Sequence, residues 1–200
     1  MLTTLSTIKS RLALLPDDLQ YDALLTAAIK SVSARFDTET NRTLARTENA
    51  THEFPSDDTE VSPPCYPIES VQKFELKTSE TTGWQEQPTP DFIIRRGCII
   101  SLKSPLCILP SDFCICRVFY TGGYLLPGSP PPEPPVAGCQ ALPDDLEQAA
   151  VEQVAFWFQK KDLLGVKTTW PHLGTYEMFA DQDLLPSVQS VLKRHARIAF

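Results

Sequence analysis

The chain has 200 residues, 42% of them hydrophobic and 22% charged, and a formal net charge of -7. That composition belongs to a globular chain able to bury its own core, as one ordinary domain or as a domain carrying a folded insertion, and it excludes wholesale disorder. An acidic balance also argues against general affinity for nucleic acid, which needs clustered cations facing the phosphates.

The opening, MLTTLSTIKSRLALL, is amphipathic. Leu2, Leu5, Ile8 and Leu12 recur at helical spacing, Thr3 or Thr4 is placed to cap, and Pro16 is the expected stop. Lys9 and Arg11 interrupt any signal-peptide core, and no stretch approaches the roughly 20 apolar residues of a membrane span, so the expected setting is cytosolic and away from membranes. In Pro16-Asp17-Asp18-Leu19 an aspartate is expected to cap a second helix with Leu25, Ala28, Ile29, Val32 and Phe36 along its apolar stripe. Residues 1–42 thus read as a helical hairpin.

From residue 43 to 125 the period shifts to short Ile, Val, Phe and Cys runs broken by Pro, Gly, Ser and Asp, the pattern of a small antiparallel sheet. Strands are expected at Thr43 to Phe54, Ser70 to Leu76, Phe92 to Ile94, Cys98 to Leu102 and Phe113 to Tyr120. Residues 126–142 open with LPGSPPPEPPV, which lacks the amide hydrogens to join a sheet or helix and reads as an extended connector, or alternatively as a ligand for a proline-binding module.

Residues 143–200 begin with a second Pro-Asp-Asp-Leu, in which Asp144 and Glu147 have capping-box spacing. A long helix follows, with Leu146, Ala150, Val154, Trp157 and Leu164 near one face and Gly165 as its expected end. Residues 166–181 read as a loop. Asp183 is then the expected cap of a last helix bearing Leu184, Val188, Val191, Leu192 and Ile198. The fold class that follows is α+β: a helical bundle from both ends of the chain, interrupted by a small antiparallel β insertion.

Catalytic chemistry finds little footing. His52, His172 and His195 sit in no nucleophile-base motif, and His195 lies where a helix end favours a cation. Cys114-x-Cys116 with Cys98 and Cys107 resembles metal ligands, but one intervening strand residue points both thiols to the same sheet face, where burial as small hydrophobes is the plainer reading. The six cysteines, Cys65 and Cys139 completing the set, are expected as reduced thiols. Asp57-Asp58, Asp144-Asp145 and Asp181 with Asp183 abut turns or helix starts, and no helix begins at Gly122-Gly123 to receive a phosphate. No catalytic, cofactor or metal residue is assigned.

Five segments in order, LTTLSTIKSRLALL, DALLTAAIKSVSARFDTETNR, VFYTGGYLLP, LPDDLEQAAVEQVAFWFQKKDLLG and DLLPSVQSVLKRHARIAF, give the chain a resemblance to the head-tail connector, or adaptor, family of long-tailed phages and prophages. The cysteine-rich strands and the proline run are peculiar to this chain. The resemblance implies a structural subunit of the virion neck, assembled in the host cytoplasm as a ring, commonly of twelve copies, beneath the portal. DNA passes through such a ring without sequence-specific binding, and a stopper or other neck or tail protein follows it. It implies portal docking by the C-terminal segment, with Leu184, Leu185, Val188, Val191, Leu192, Arg194, His195, Arg197, Ile198 and Phe200 as candidates. Phe156, Trp157 and Phe158, at adjacent helical positions, cannot all face one way and are candidate subunit contacts. The alternatives are another neck component, a stopper or tail terminator, and a thiol or zinc-dependent enzyme using Cys98, Cys114 and Cys116.

Overall fold

The computed structural model describes residues 1–107, 114–132, 138–161 and 184–197. It divides into two compact units, one of residues 1–40 with 142–196 and one of residues 41–141 with 197–200. Helices and antiparallel sheets make it a mixed α+β protein.

The first unit holds α1 (Leu5–Arg11), α2 (Asp22–Thr40), α3 (Asp144–Gln159) and α4 (Pro186–His195). Thr4 caps α1 as its spacing suggests, its hydroxyl accepting from the Thr7 amide at 3.1 Å. The helix closes at Arg11 rather than at Pro16, because Ala13 turns left-handed at φ 54°. The Lys9 side chain then folds inward, and its ammonium meets the carbonyls of Pro16 and Asp18 and the Asp22 carboxylate at 3.0, 2.7 and 2.6 Å. Lys9 is only 6% exposed, so these oxygens replace the water its charge has lost. This knot ties down the turn and delays α2 to Asp22. Asp18 caps no helix but accepts from the Gln20 amide in an Asx turn.

The stripe of α2 lands where the periodicity puts it, with Leu25, Ile29, Val32 and Phe36 buried. α3 buries Leu146, Ala149, Ala150, Val151, Val154 and Ala155. Its start corrects a second expectation: Pro143 occupies the cap position with no side-chain hydrogen bond, and Asp144 lies within the first turn. Glu147 accepts from the Thr3 hydroxyl instead of reaching back as a capping box would. The helix ends at Gln159, capped at Lys160, short of the expected Gly165. Leu164, Gly165 and the loop at 166–181 lie outside the described residues.

The second unit contains more β structure than expected. Antiparallel strands β1 (Thr47–Pro55), β3 (Ile68–Lys77), β4 (Trp84–Gln87) and β7 (Ile115–Gly122) form one sheet in the order β1-β7-β3-β4. A second sheet runs β2 (Glu60–Val61), β6 (Ile99–Leu102) and β5 (Phe92–Arg95), also antiparallel. Five of these strands overlap the five expected ones; β2 and β4 are additional. A parallel pair, β8 (Tyr124–Leu125) with β9 (Gln140–Ala141), spans the proline run, so residues assigned to the connector return to make a strand.

Alternate residues explain the core. Phe54 on β1, Phe74 on β3, and Cys116, Val118 and Tyr120 on β7 share one cluster with Val61, Ile100 and Leu102 of the three-stranded sheet. Tyr120 satisfies its buried hydroxyl by accepting from the Cys65 amide at 3.1 Å. Beside it the backbone comes very close: a Cβ on Gly122 would lie 2.5 Å from the Cys65 carbonyl oxygen, and one on Gly123 2.5 Å from that of Ala45. The two glycines are there for contact between strands, not for a phosphate.

Candidate interaction surface

The C-terminal helix is the first candidate, and its own sequence determines which side it shows. Pro186 stands at the first helical position, where its missing amide hydrogen costs nothing, and no aspartate caps the helix. Asp183, the expected cap, lies outside the described residues, and Leu185 occupies the cap position. The Leu185 amide donates to Oε1 of the fully buried Gln153 on α3 at 2.9 Å, and the Gln189 amide group donates to the Leu184 carbonyl at 3.1 Å. At the far end Nε2 of His195 lies 2.9 and 3.1 Å from the two Asp145 carboxylate oxygens, with Arg194 at 3.6 Å. Burial works against ionising Asp145, but the hydrogen bond and charge of His195, with the charge of Arg194, outweigh it and hold that carboxyl below its ordinary range.

These bonds turn the apolar stripe inward. Leu184, Val188 and Leu192 are buried within the unit, Leu185, Val191 and His195 are half-buried, and Lys193 and Arg194 face solvent. Arg197 belongs to the second unit, where its guanidinium donates to the Ser62 carbonyl. It lies near His52, whose pKa is lowered to about 4 by burial first and by this positive charge second. Ile198 and Phe200 lie outside the described residues.

The aromatic run on α3 is partly satisfied inside the chain. Phe158 meets Tyr21 edge-on at 5.2 Å between ring centres, and Lys161 lies 4.7 Å over the Phe158 ring. Lys160 covers Phe156 at 4.3 Å. Phe156, Trp157 and Phe158 all stay half-buried, and the buried Trp157 indole nitrogen has no hydrogen-bond partner among the described residues.

Sequence reasoning missed a third surface, on the face of the four-stranded sheet opposite the core. Arg117 stacks 4.0 Å over Trp84 and 5.0 Å over Phe119, and Lys73 lies 4.5 Å over Phe119. Glu75, largely buried between them, accepts from Lys73 at 2.7 Å and from Arg117 at 2.5 Å; these two bonds hold its carboxyl below the ordinary range. The signal was available: Lys73, Glu75 and Lys77 alternate along β3, and Arg117 and Phe119 along β7. Such interleaved cations, rings and carboxylates resemble a protein contact surface more than a catalytic site.

Cys65, Cys114 and Cys116 are buried, while Cys98, Cys107 and Cys139 are partly exposed. Among the described residues no group of three histidine, cysteine or carboxylate side chains is arranged to hold a metal ion, and no helix is long and apolar enough to cross a membrane.

No protein-family profile and no curated protein matches the sequence. Solved structures do. A chain from the neck of an empty gene transfer agent (GTA) particle, computed with C6 symmetry, superposes with a TM-score of 0.58 at 15% identity, covering 98% of this chain and 89% of that one. The chain shares its fold with a GTA neck chain. A chain of the native gene transfer agent virion gives a TM-score of 0.56 at 16% identity, again covering 98% of this chain and 89% of that one. A chain from the native GTA neck computed with C12 symmetry gives 0.51 at 16% identity, covering 89% and 84%.

Proposed function

We propose that the chain is a non-enzymatic structural subunit of a tailed-phage neck, a head-tail adaptor that forms a ring beneath the portal and continues the DNA channel toward the tail. The observation that carries this reading is the likeness to a GTA neck chain across 98% of the sequence. Neck structures with C6 and C12 symmetry support a ring; the reading takes that ring as twelve copies, assembled in the host cytoplasm and carried in the virion. A closed ring needs two different complementary faces on each subunit. Phe156 and Trp157 contribute to one of them, with Phe158 already engaged by Tyr21. The cation-aromatic face around Trp84 and Arg117 suits the next neck or tail component. An acidic chain lets DNA pass without releasing its counterions.

Portal docking falls to the outward side of α4, with Lys193, Arg194 and half-buried Leu185, Val191 and His195, and to Arg197, Ile198 and Phe200 beyond it. Helices drawn from both ends of the chain support an adaptor over a stopper or terminator. Deleting the segment is a poor test, because it would strip Leu184, Val188 and Leu192 from the helical core. Charge reversal of the exposed pair, Lys193→Glu with Arg194→Glu, leaves that core intact. Full-length protein is expected to co-sediment with portal rings, and the double variant to bind at least tenfold more weakly with an unchanged circular dichroism spectrum. Equal binding by the variant refutes docking through α4; no binding by the wild-type chain refutes the adaptor role.

A further inference from the structure

We propose that the turn joining α1 to α2 docks on the C-terminal end of α3 in a second copy of this chain. This contact rests on the ring reading and supplies the second of the two faces a ring subunit needs, Phe156 and Trp157 belonging to the first. Both surfaces lie in the first unit. Leu15, Leu19 and Leu24 stand 75, 73 and 47% exposed on the turn and the helix start that follows it. A single exposed leucine is ordinary, but three so close along the chain make a patch of the kind that marks an interface.

Beside them a cleft of about 700 Å³ opens, with Leu5, Leu14 and Pro16 on its walls and Lys9 and Asp22 among its lining. Lys9 does not make it an anion site, because its three N–H donors are already met by the Pro16 and Asp18 carbonyls and the Asp22 carboxylate. What the cleft offers a visitor is apolar wall, suited to an aromatic or aliphatic anchor.

Charge and helix geometry select the occupant. From residue 12 to residue 29 the sequence holds Asp17, Asp18 and Asp22 and no lysine or arginine. Asp22 is paired with Lys9, while Asp17 is exposed and Asp18 half-buried beside the leucines. The end of α3 is the complement: Lys160 lies 4.3 Å over the half-buried Phe156, next to Trp157. Successive helical residues turn by roughly 100°, so Phe156 projects about 160° around α3 from Phe158. Phe158 is the ring that meets Tyr21, just before α2, and Phe156 therefore faces away from the turn of its own chain. An acidic, aliphatic turn and a basic, aromatic helix end on different sides of one unit meet between copies. Each copy then uses both, the head-to-tail contact from which a ring closes. Lys160 of one copy pairs with Asp17 or Asp18 of the next, and the rings cover Leu15 and Leu19 at the cleft.

The test mixes equal amounts of unlabelled and heavy-isotope-labelled full-length chain, alone at high concentration and on portal rings, and joins carboxylates to amines at zero length with a carbodiimide. Digestion and mass spectrometry then separate links between copies, which join a light peptide to a heavy one, from links within a copy. Light-heavy links from Asp17 or Asp18 to Lys160 are expected. Leu15→Ser with Leu19→Ser, at two exposed positions, should lower their yield at least tenfold and leave the circular dichroism spectrum unchanged. Light-heavy links confined to other parts of the chain, or none at all, in both settings overturn the contact, as does an undiminished yield in the folded leucine variant. The wild-type map decides even where that variant misfolds. Portal binding without this link keeps the adaptor reading and strikes the contact, whereas the link without portal binding keeps the contact and strikes the adaptor reading.

Discussion

Replacing Gln153 with Met tests what holds α4 in place. Methionine keeps nearly the length and volume of glutamine but offers no carbonyl, so the Leu185 amide loses the acceptor it has at 2.9 Å. A buried donor left unpaired costs roughly 1–3 kcal/mol, and the more apolar side chain returns about 0.5–1 kcal/mol of that. Taken at their midpoints these leave a net loss of about 1–1.5 kcal/mol, within a span of about 0–2.5, close to a tenfold change in the local opening equilibrium. It falls on a helix of ten residues, too short to persist in water without its packing. Hydrogen exchange followed by mass spectrometry should show peptides within residues 184–195 exchanging about tenfold faster, while β1, β3 and β7 keep their wild-type protection. Unchanged exchange in α4 would refute the reasoning, since Val188 and Leu192 would then suffice to seat the helix.

Gly123→Ala should be among the most damaging single substitutions: it puts a Cβ at φ 99°, 2.5 Å from the Ala45 carbonyl oxygen, and overpacking of this kind costs on the order of 1–3 kcal/mol before the backbone strain is added. A denaturant midpoint equal to wild type would contradict that close approach. Acid should weaken the second unit through His52. Its folded pKa of about 4 lies below the unfolded 6.5, so stability is complete above 6.5 and is lost as pH falls toward 4, the unfolded chain taking up the proton first. The loss is at most about 3 kcal/mol, and His52→Gln should flatten the pH dependence of the urea midpoint across that window; an unaltered slope would assign it to other groups. Glu75→Gln, which removes the charge between Lys73 and Arg117, should lower stability by about 1.5–3 kcal/mol, with the deficit shrinking as pH falls through the lowered range in which the wild-type carboxyl is itself protonated; a deficit constant with pH would argue against the ion pair.

Periodicity carried the fold wherever a segment answered to one buried face. Leu25, Ile29, Val32 and Phe36 fall in the core as their spacing demands, and the alternation in β3 and β7 brings Phe74, Val118 and Tyr120 together. It failed where the deciding partner is distant in sequence or where a motif serves two structures. Pro-Asp-Asp-Leu begins α3 but not α2, because the Lys9 ammonium takes the carbonyls of Pro16 and Asp18 for itself. Two-residue strands such as β2 and β9 are too short to show a period and exist through pairing with Ser101 and Ile100, or with Tyr124 and Leu125. The cation-aromatic ladder was written in the alternation of β3 and β7, yet nothing in one strand says which strand lies beside it.

The same limit governs the candidate docking helix. An amphipathic stripe records that a helix buries one side, not whose surface receives it. In this chain Leu184, Val188 and Leu192 are received by the unit's own core, and Gln153 and Asp145 fix the two ends. What α4 still presents outward is chiefly polar, ending in Lys193 and Arg194. An adaptor docking through that side recognises its portal by charge more than by apolar insertion. Charge of this kind acts over about 8 Å at physiological salt and governs encounter rate and register more than final affinity. Under the adaptor reading the affinity has to come from twelve such contacts made together, each weak and all held in one geometry by the closure of the ring.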